Sequence, residues 1–431
     1  GLVAAAPTAS GTTRNLAAKG AIQQFDFNKY SFRNIQLDGS YNQGLVSGQA
    51  SIADPNVQLS VKGKYSIPKK QYDATLDLAH LQPSVLGMKM ADKTYTLNDI
   101  RVSAKNEGSD SYLDLEAPFA RIHVDGKYDY ATLVKSFNNL VASKLPTLPG
   151  IGKLDKSADN HFLFQLELTS TEFLQRMFGI PLHLSQPVRA DGFLNDREHT
   201  ANLYADIPGF AYNGSAYNGG LVRLNTYNDT LLVDARIQKG EMGDNGPSLH
   251  VHAAALDNTL TAQLGYDNHS KGLPIKGSIN AKAQFAKTHG NESTALVGIL
   301  PSTVHVGDKP WQVHPASITY RKNHLEIQDF AISHGDQHIA IDGLATPNKE
   351  DSIVAKLKDV DVAYILNLVN FHSVDFAGKI SGDAIVKSIF NDPDAYAKLD
   401  IQDFEFEQGP LGVLHAGVNF NKELGQIDID A

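Results

Sequence analysis

His250 and His252, set two residues apart, are the pair in this sequence best spaced to chelate a metal. On an extended strand, residues i and i+2 point the same way, so both imidazoles would face one ion. They alternate with Leu249 and Val251, which puts them on a wetted face, and no carboxylate is spaced in the sequence to complete a ligand set. A solvated pair is expected, and no metal. His334 and His338 flank a Gly-Asp turn and read as solvated loop residues. Paired carboxylates could hydrolyse glycosides. Asp400, Asp403, Glu405 and Glu407, however, fall on the outer side of a strand pattern, and no pair stands out. Gly150, Gly152 and Lys153 suggest a phosphate cradle, yet no Ser or Thr follows the lysine, and the proline-rich surroundings mark a turn. The G-x-S-x-G, G-x-x-x-x-G-K-S/T and H-E-x-x-H signatures are missing. Asn213, Asn228, Asn268 and Asn291 open N-x-S/T triplets of the kind polar hairpins produce by chance. With Cys 0, disulfides, thiolate zinc sites and cysteine nucleophiles are excluded together. No catalytic residue and no cofactor is expected; the chain reads as non-enzymatic.

Composition narrows the classes further. The chain has 431 residues, and Lys+Arg 38 against Asp+Glu 48 gives 38 − 48 = −10. That balance argues against nucleic acid as a partner, since such binding rests on clustered Lys and Arg. A hydrophobic fraction of 42% with 20% charged residues supports a large core and excludes global disorder. Nothing approaches the ~18 consecutive apolar residues of a membrane-spanning helix. At roughly 150 residues per domain, the length fits about three domains or one elongated repetitive unit. The start at Gly1 without Met, and the alternation QIDIDA running to the last residue, suggest a fragment.

The dominant period is two. Tyr72, Ala74, Leu76 and Leu78 alternate with Asp73, Thr75 and Asp77, and similar runs start at Leu231, Leu249, Leu260, Ile275 and Leu325. Each run has one apolar and one wet face, as in an antiparallel sheet covered on one side only. Helical pattern is confined to short pieces. Residues 129–145 place Leu133, Val134, Phe137, Leu140 and Val141 on one stripe. Thr169 with Glu172 reads as a capping box before Phe173 and Leu174. Residues 361–371 offer Val362, Ile365, Leu366 and Val369 behind an Asp361 cap, and 80–90 gives a weaker fourth piece broken by Pro83. Residues 144–160, rich in Pro, Gly and Lys, form a loop or hinge between 1–143 and 161–431.

An internal echo links the two ends. Gly44 to Gly48 (GLVSG) precedes Asp54, Pro55, Asn56 and a strand; Gly378 to Gly382 (GKISG) precedes Asp392, Pro393, Asp394 and another. Asp followed by Pro fits a type I turn, and the glycines permit a bend or a close approach. Two unrelated hairpins are the plainer alternative. In residues 374–431 the second copy continues through Leu399, Ile401 and the run Gly409, Pro410, Leu411, Gly412 turning into 414–420. Together these stretches resemble the TamB/AsmA-like family of bacterial envelope proteins. The match covers the last 60 or so residues most clearly, and 35–65 in part.

The resemblance implies an all-β, mostly antiparallel fold: an elongated U-shaped β-groove (a β-taco) with a few short amphipathic helices. Its segments would be 1–143, ending near a helix, the loop 144–160, and the continued groove 161–431. Roughly 25 strands at about 4.8 Å would give a trough on the order of 120 Å. It further implies a periplasmic location, with an inner-membrane anchor in the full-length protein, and phospholipid as the cargo. An outer-membrane barrel protein (TamA-like) is the implied partner, through regions that can lie outside this fragment. The residues expected to line the groove are Leu325, Ile327, Ile332, Ile339 and Ile341, with Leu399, Ile401, Phe404 and Phe406. The competing assignment for all nine is the closed core of ordinary β-sandwiches. The helix at 129–145 is read as a plug or gate, or else as edge protection. Two other functions stay open: strand templating of outer-membrane proteins, and a carbohydrate-binding sandwich array.

Overall fold

The computed structural model describes residues 2–5, 15–107, 110–287, 292–364, 376–421 and 426–430. Twenty-nine strands lie among them, with short helices at Leu133–Lys144 and Glu172–Phe178 and a 3-10 turn at Pro83–Leu86. The fold is all-β and antiparallel, as the period-two runs require. It divides into two compact units: residues 1–140, 155–226 and 237–244 form the first, and 141–154, 227–236 and 245–431 the second.

Within each unit, sequence neighbours pair as a meander. In the first, Tyr30–Asn42 pairs with Leu45–Asp54, which pairs with Val57–Ser66, then Gln71–Leu81, then Leu97–Glu107. The hairpins close with two-residue turns whose backbones are left-handed at both positions: Asn28-Lys29 and Asn213-Gly214 in the first unit, Asp257-Asn258 and Glu407-Gln408 in the second. Such turns match the right-handed twist of the strands they join. The chain therefore turns at Glu407-Gln408, two residues before the expected Gly409–Gly412, and Gly409 already begins the strand Gly409–Asn421.

Left-handed Asp or Asn residues also sit inside strands. Asp329, Asp359 and Asp403 (φ 59, 51 and 51) each occupy a shift of register. The extra residue returns the following apolar side chain to the face of the preceding one. Neighbouring strands satisfy the displaced amides: Asp329 N donates to Asp342 Oδ1 at 2.6 Å, and Asp359 N to Ser381 Oγ at 2.9 Å.

The helical expectations need three corrections. The helix at 133–144 exists, but Val134 is 73% and Phe137 53% exposed, while Ser136 and Asn139 are buried. It docks through polar groups: Ser136 Oγ donates to Asp196 Oδ2 at 2.7 Å, Asn139 Nδ2 to the Asp155 carbonyl at 2.9 Å, and Asp155 N to Asn139 Oδ1 at 2.7 Å. Of the expected stripe Leu140 is buried, at 3%, whereas the Val134 and Phe137 end faces solvent and the helix is held there by hydrogen bonds to a carboxylate and to loop backbone. Thr169 does not cap the second helix. Its hydroxyl donates to the Pro118 carbonyl at 2.9 Å, the N-cap is Thr171, and Ser170 Oγ accepts from Glu172 N at 3.2 Å. Pro83 starts its 3-10 turn instead of breaking it, at a position where a missing N–H costs nothing. Of the 361–371 helix, residues 362–364 are helical and Asp361 Oδ1 accepts from Ala363 N at 2.9 Å; the remainder lies outside the described residues, as does Asn291.

The echo is partial. Gly48 and Gly382 both sit in strand interiors where a Cβ would lie 2.4 Å from the Asp38 carbonyl oxygen and 2.1 Å from that of Lys398. Gly44 occupies a hairpin turn and Gly378 a strand, so the first glycines are not equivalent.

Two carboxylates hold the first unit's turns. Asp54, 1% exposed, accepts from the Tyr30 hydroxyl, from Arg33 N at 3.2 Å and from Asn56 N at 2.9 Å. Burial and that carboxylate together push the Tyr30 phenol up. Replacing Asp54 with Ala strands three donors, and we expect a loss of about 3 kcal/mol in the unfolding free energy of the first unit, measured by urea denaturation. Asp159 is gripped by Arg197 and by Lys127, which hold its carboxyl well below the usual carboxylate range. Its folded form thus binds protons less readily than its unfolded form. The stabilisation is complete above the unfolded value of roughly 4 and fades as the pH falls below it. Asp159→Asn should accordingly lower the melting temperature at pH 7, and the gap to the parent chain should shrink steadily as the pH falls below about 4 without closing by pH 2, as thermal melts across that range would register.

Candidate functional site

Register turns the alternating runs into continuous rows. In the first unit, Gly20, Leu37, Ala50, Val61, Leu76 and Val102 stand opposite one another on successive strands. The same row continues through Leu115, Ile122, Leu166, Ala190, Ala205 and Val222. Twelve strands contribute without one polar side chain. In the second unit, Ala255, Leu260, Ala283, Val297, Ile318 and Ile327 form an equivalent row. It runs on through Gly343, Ile353, Val386 and Ala395.

These faces are not sealed. Most of their large side chains are half-buried, and some are open: Val61 is 37% exposed and Leu264 46%. Beneath a facing sheet they would be nearly inaccessible.

The nine expected lining residues all fall on the apolar face of the second unit. Ile332 pairs with Ile339, and Phe330 with Ile341; Leu325 and Ile327 precede the bulge at Asp329 on the same side. Leu399 lies across from Gly382, Ile401 from Ile380, and Phe406 from Phe376. Their surroundings differ. Leu325, Ile327, Ile332, Ile339, Ile341 and Leu399 are half-buried and Phe406 is 44% exposed, but Ile401 and Phe404 are buried at 8% each. They pack with Trp311, Val360, Val362, Tyr364 and Ile380 into a cluster, and Ile332, Ile339 and Leu399 pack against it. Phe32, Ile35 and Val57 form a smaller cluster on the first unit's face.

The opposite faces are polar and ordered by charge. Across the first unit, Asp77, Arg101, Glu116, Arg121, Glu167, Arg189 and Asp206 stand on adjacent strands with signs alternating throughout. Arg101 Nε lies 2.6 Å from Asp77 Oδ1, and Arg189 Nη2 2.9 Å from Glu167 Oε1. Along this ladder no like charges oppose each other, so a shift of register there is penalised. The sequence holds no signal for this ladder until the pairing is known.

The histidine pair also gains a partner. Asp234 Oδ2 lies 3.1 Å from His250 Nε2 and 3.4 Å from His252 Nδ1, so a carboxylate does reach both, correcting the expectation drawn from spacing. His250 comes first among the groups holding the Asp234 carboxyl below its ordinary range. Among the described residues, no group of three or more such side chains is placed to hold a metal ion.

Two kinds of hollow mark the first unit. One, about 610 Å³, lies on the polar side among Gln36, Gln49, Ser60, Lys62 and Asp77. Another, about 490 Å³, lies on the apolar face and is bordered by Leu37, Val46, Val61, Tyr65 and Tyr72. The polar one offers no nucleophile with an adjacent base, so the apolar one is the better candidate for a ligand. Among the described residues, no helix is long and apolar enough to cross a membrane. No family model, curated protein or solved structure matches the chain.

The contrast between clustered and open positions can be measured through Trp311, the only tryptophan. A charge at Ile401 would be buried without a partner, so Ile401→Asp should cost more than about 4 kcal/mol and red-shift the Trp311 emission. Leu264→Asp, at a half-open position, should cost about 1 kcal/mol or less in the same urea titration.

Proposed function

We propose that this protein is a non-catalytic lipid carrier of the bacterial envelope, of the TamB/AsmA-like kind, working in the periplasm. It would move phospholipid between the inner and outer membranes with the acyl chains lying on the apolar faces of its sheets. The observation carrying this proposal is the pair of uninterrupted apolar rows, twelve strands in one unit and ten in the other, whose large side chains remain mostly half-open. Exposed apolar surface of that extent is not left idle on soluble proteins. Acyl chains suit it because each buried CH₂ contributes about 0.8 kcal/mol and needs no hydrogen bond. The resemblance in residues 374–431 supplies the envelope context, and the net charge of −10 disfavours adhesion of the charge-alternating polar face to an anionic membrane surface.

The test is site-specific photo-crosslinking. A benzophenone side chain placed at position 115 or 327, on the apolar faces, should capture labelled phospholipid. One placed at position 114 or 326, on the opposite faces, should not. Equal capture on both faces, or none on either, would overturn the proposal.

A further inference from the structure

Next to the long apolar row of the first unit runs a second one with a distinct composition: Ala18, Gly39, Gly48, Gly63, Ala74 and Ala104. Six successive strands thus present the smallest side chains available. Two of the three glycines leave no room for a side chain. A Cβ at Gly48 would lie 2.6 Å from the Gly39 Cα, and one at Gly63 would lie 2.7 Å from both the Ala74 Cβ and the Asp73 carbonyl oxygen. Larger residues stand on either side. Leu37, Val61 and Leu76 rise along one flank, and Tyr41, Val46, Tyr65 and Tyr72 along the other. The row ends where Leu113 follows Ala104. The outcome is a trench with a floor at backbone level, two apolar walls and a stop. Its floor spans five strand intervals, about 24 Å at roughly 4.8 Å each. One leaflet's hydrocarbon is only about 15 Å deep, so an extended acyl chain fits lengthwise.

Charge at the rim completes the arrangement. The tyrosine wall ends at the pair Tyr65 and Tyr72, and the turn joining their strands carries Ile67, Pro68, Lys69 and Lys70, all exposed. Ile67 N donates to the Gly44 carbonyl at 2.8 Å, which fixes the turn against the neighbouring hairpin. The nearby carboxylates are already engaged: Asp73 by Lys64 at 3.5 Å, and Glu107 by Lys64 and Lys105 at 3.5 and 3.4 Å. Among the described residues no carboxylate pairs with Lys69 or Lys70. In a chain of net charge −10, two adjacent unpaired cations beside an apolar trench match an amphiphile with an anionic head.

Resting on the lipid-carrying role proposed above, we propose that this trench is a discrete subsite for one anionic phospholipid. One tail lies along the glycine floor, and the phosphate is held by Lys69 and Lys70. A floor of glycine and alanine alone admits a single unbranched chain and excludes bulkier apolar ligands, so the subsite also selects by shape.

The experiment uses the full chain with a benzophenone side chain at position 65, in the wall, and a second version with it at position 327, in the other unit. The probe is phosphatidylglycerol with a labelled tail. Ala74→Phe, which fills the floor, should cut capture at position 65 at least ten-fold and leave capture at 327 unchanged. Lys69→Glu with Lys70→Glu should weaken phosphatidylglycerol capture at 65 several-fold, while a long-chain alcohol bearing the same label, having no phosphate, is captured as before. If Ala74→Phe alters the circular dichroism of the chain, Ala18→Phe at the other end of the floor provides the same test. Undiminished capture at 65 in the folded floor variant overturns the subsite yet leaves the carrier role standing. Absence of capture at both 65 and 327 in the parent chain overturns both.

Discussion

Register is the constraint on which this structure depends. A sheet that keeps one face apolar over a dozen strands cannot tolerate a slip of one residue, because the slip would turn every side chain to the wrong face. A sandwich core corrects such errors by packing. Here the face is open, and three other devices hold the pairing. Left-handed two-residue turns such as Asn28-Lys29 and Asp257-Asn258 fix where each hairpin begins. Bulges at Asp329, Asp359 and Asp403 absorb one residue and return the apolar side chains to their face. The charge ladder from Asp77 to Asp206 penalises misalignment from the outer side.

Energetics and function meet in the contrast between clustered and open regions. Trp311, Val360, Ile401 and Phe404 behave as a conventional core, and Phe32, Ile35 and Val57 as a smaller one. Each gives its unit a place where apolar burial is complete. Away from them, the apolar faces around Val61 and Leu264 leave apolar area in reach of water. A protein that stabilises itself at clusters can leave the remaining face for a ligand. The glycine-floored trench beside Tyr65 and Tyr72 is the most shaped portion of that face.

Much of the fold was legible because period two is a local signal. The runs at Tyr72–Leu78 and those beginning at Leu249, Leu260 and Ile275 became strands with the expected faces. What could not be read was whatever depends on pairing partners far away in sequence. Ile401 and Phe404 alternate like their neighbours, and only the arrival of Trp311 and Val360 buries them. Asp234 lies 16 residues before His250, and only the fold brings it between the two imidazoles. Gly39, Gly48 and Gly63 look like scattered glycines until register aligns them. The helix stripe misled in part for the opposite reason: Leu140 is buried as its local pattern requires, but at Val134 and Phe137 the contact is made instead by Ser136 and Asn139 on a carboxylate and a loop carbonyl.

Because the chain has no native cysteine, one can be placed anywhere without ambiguity. The most direct measurement is therefore the accessibility of a spin label at position 115, midway along the first unit's apolar row, to a water-soluble relaxation agent, before and after adding phospholipid. An open, lipid-accepting face predicts ready collisions in the lipid-free protein and strong protection once lipid is present. A label that is protected from the outset, and unaffected by lipid, would mean a sealed core and contradict the account.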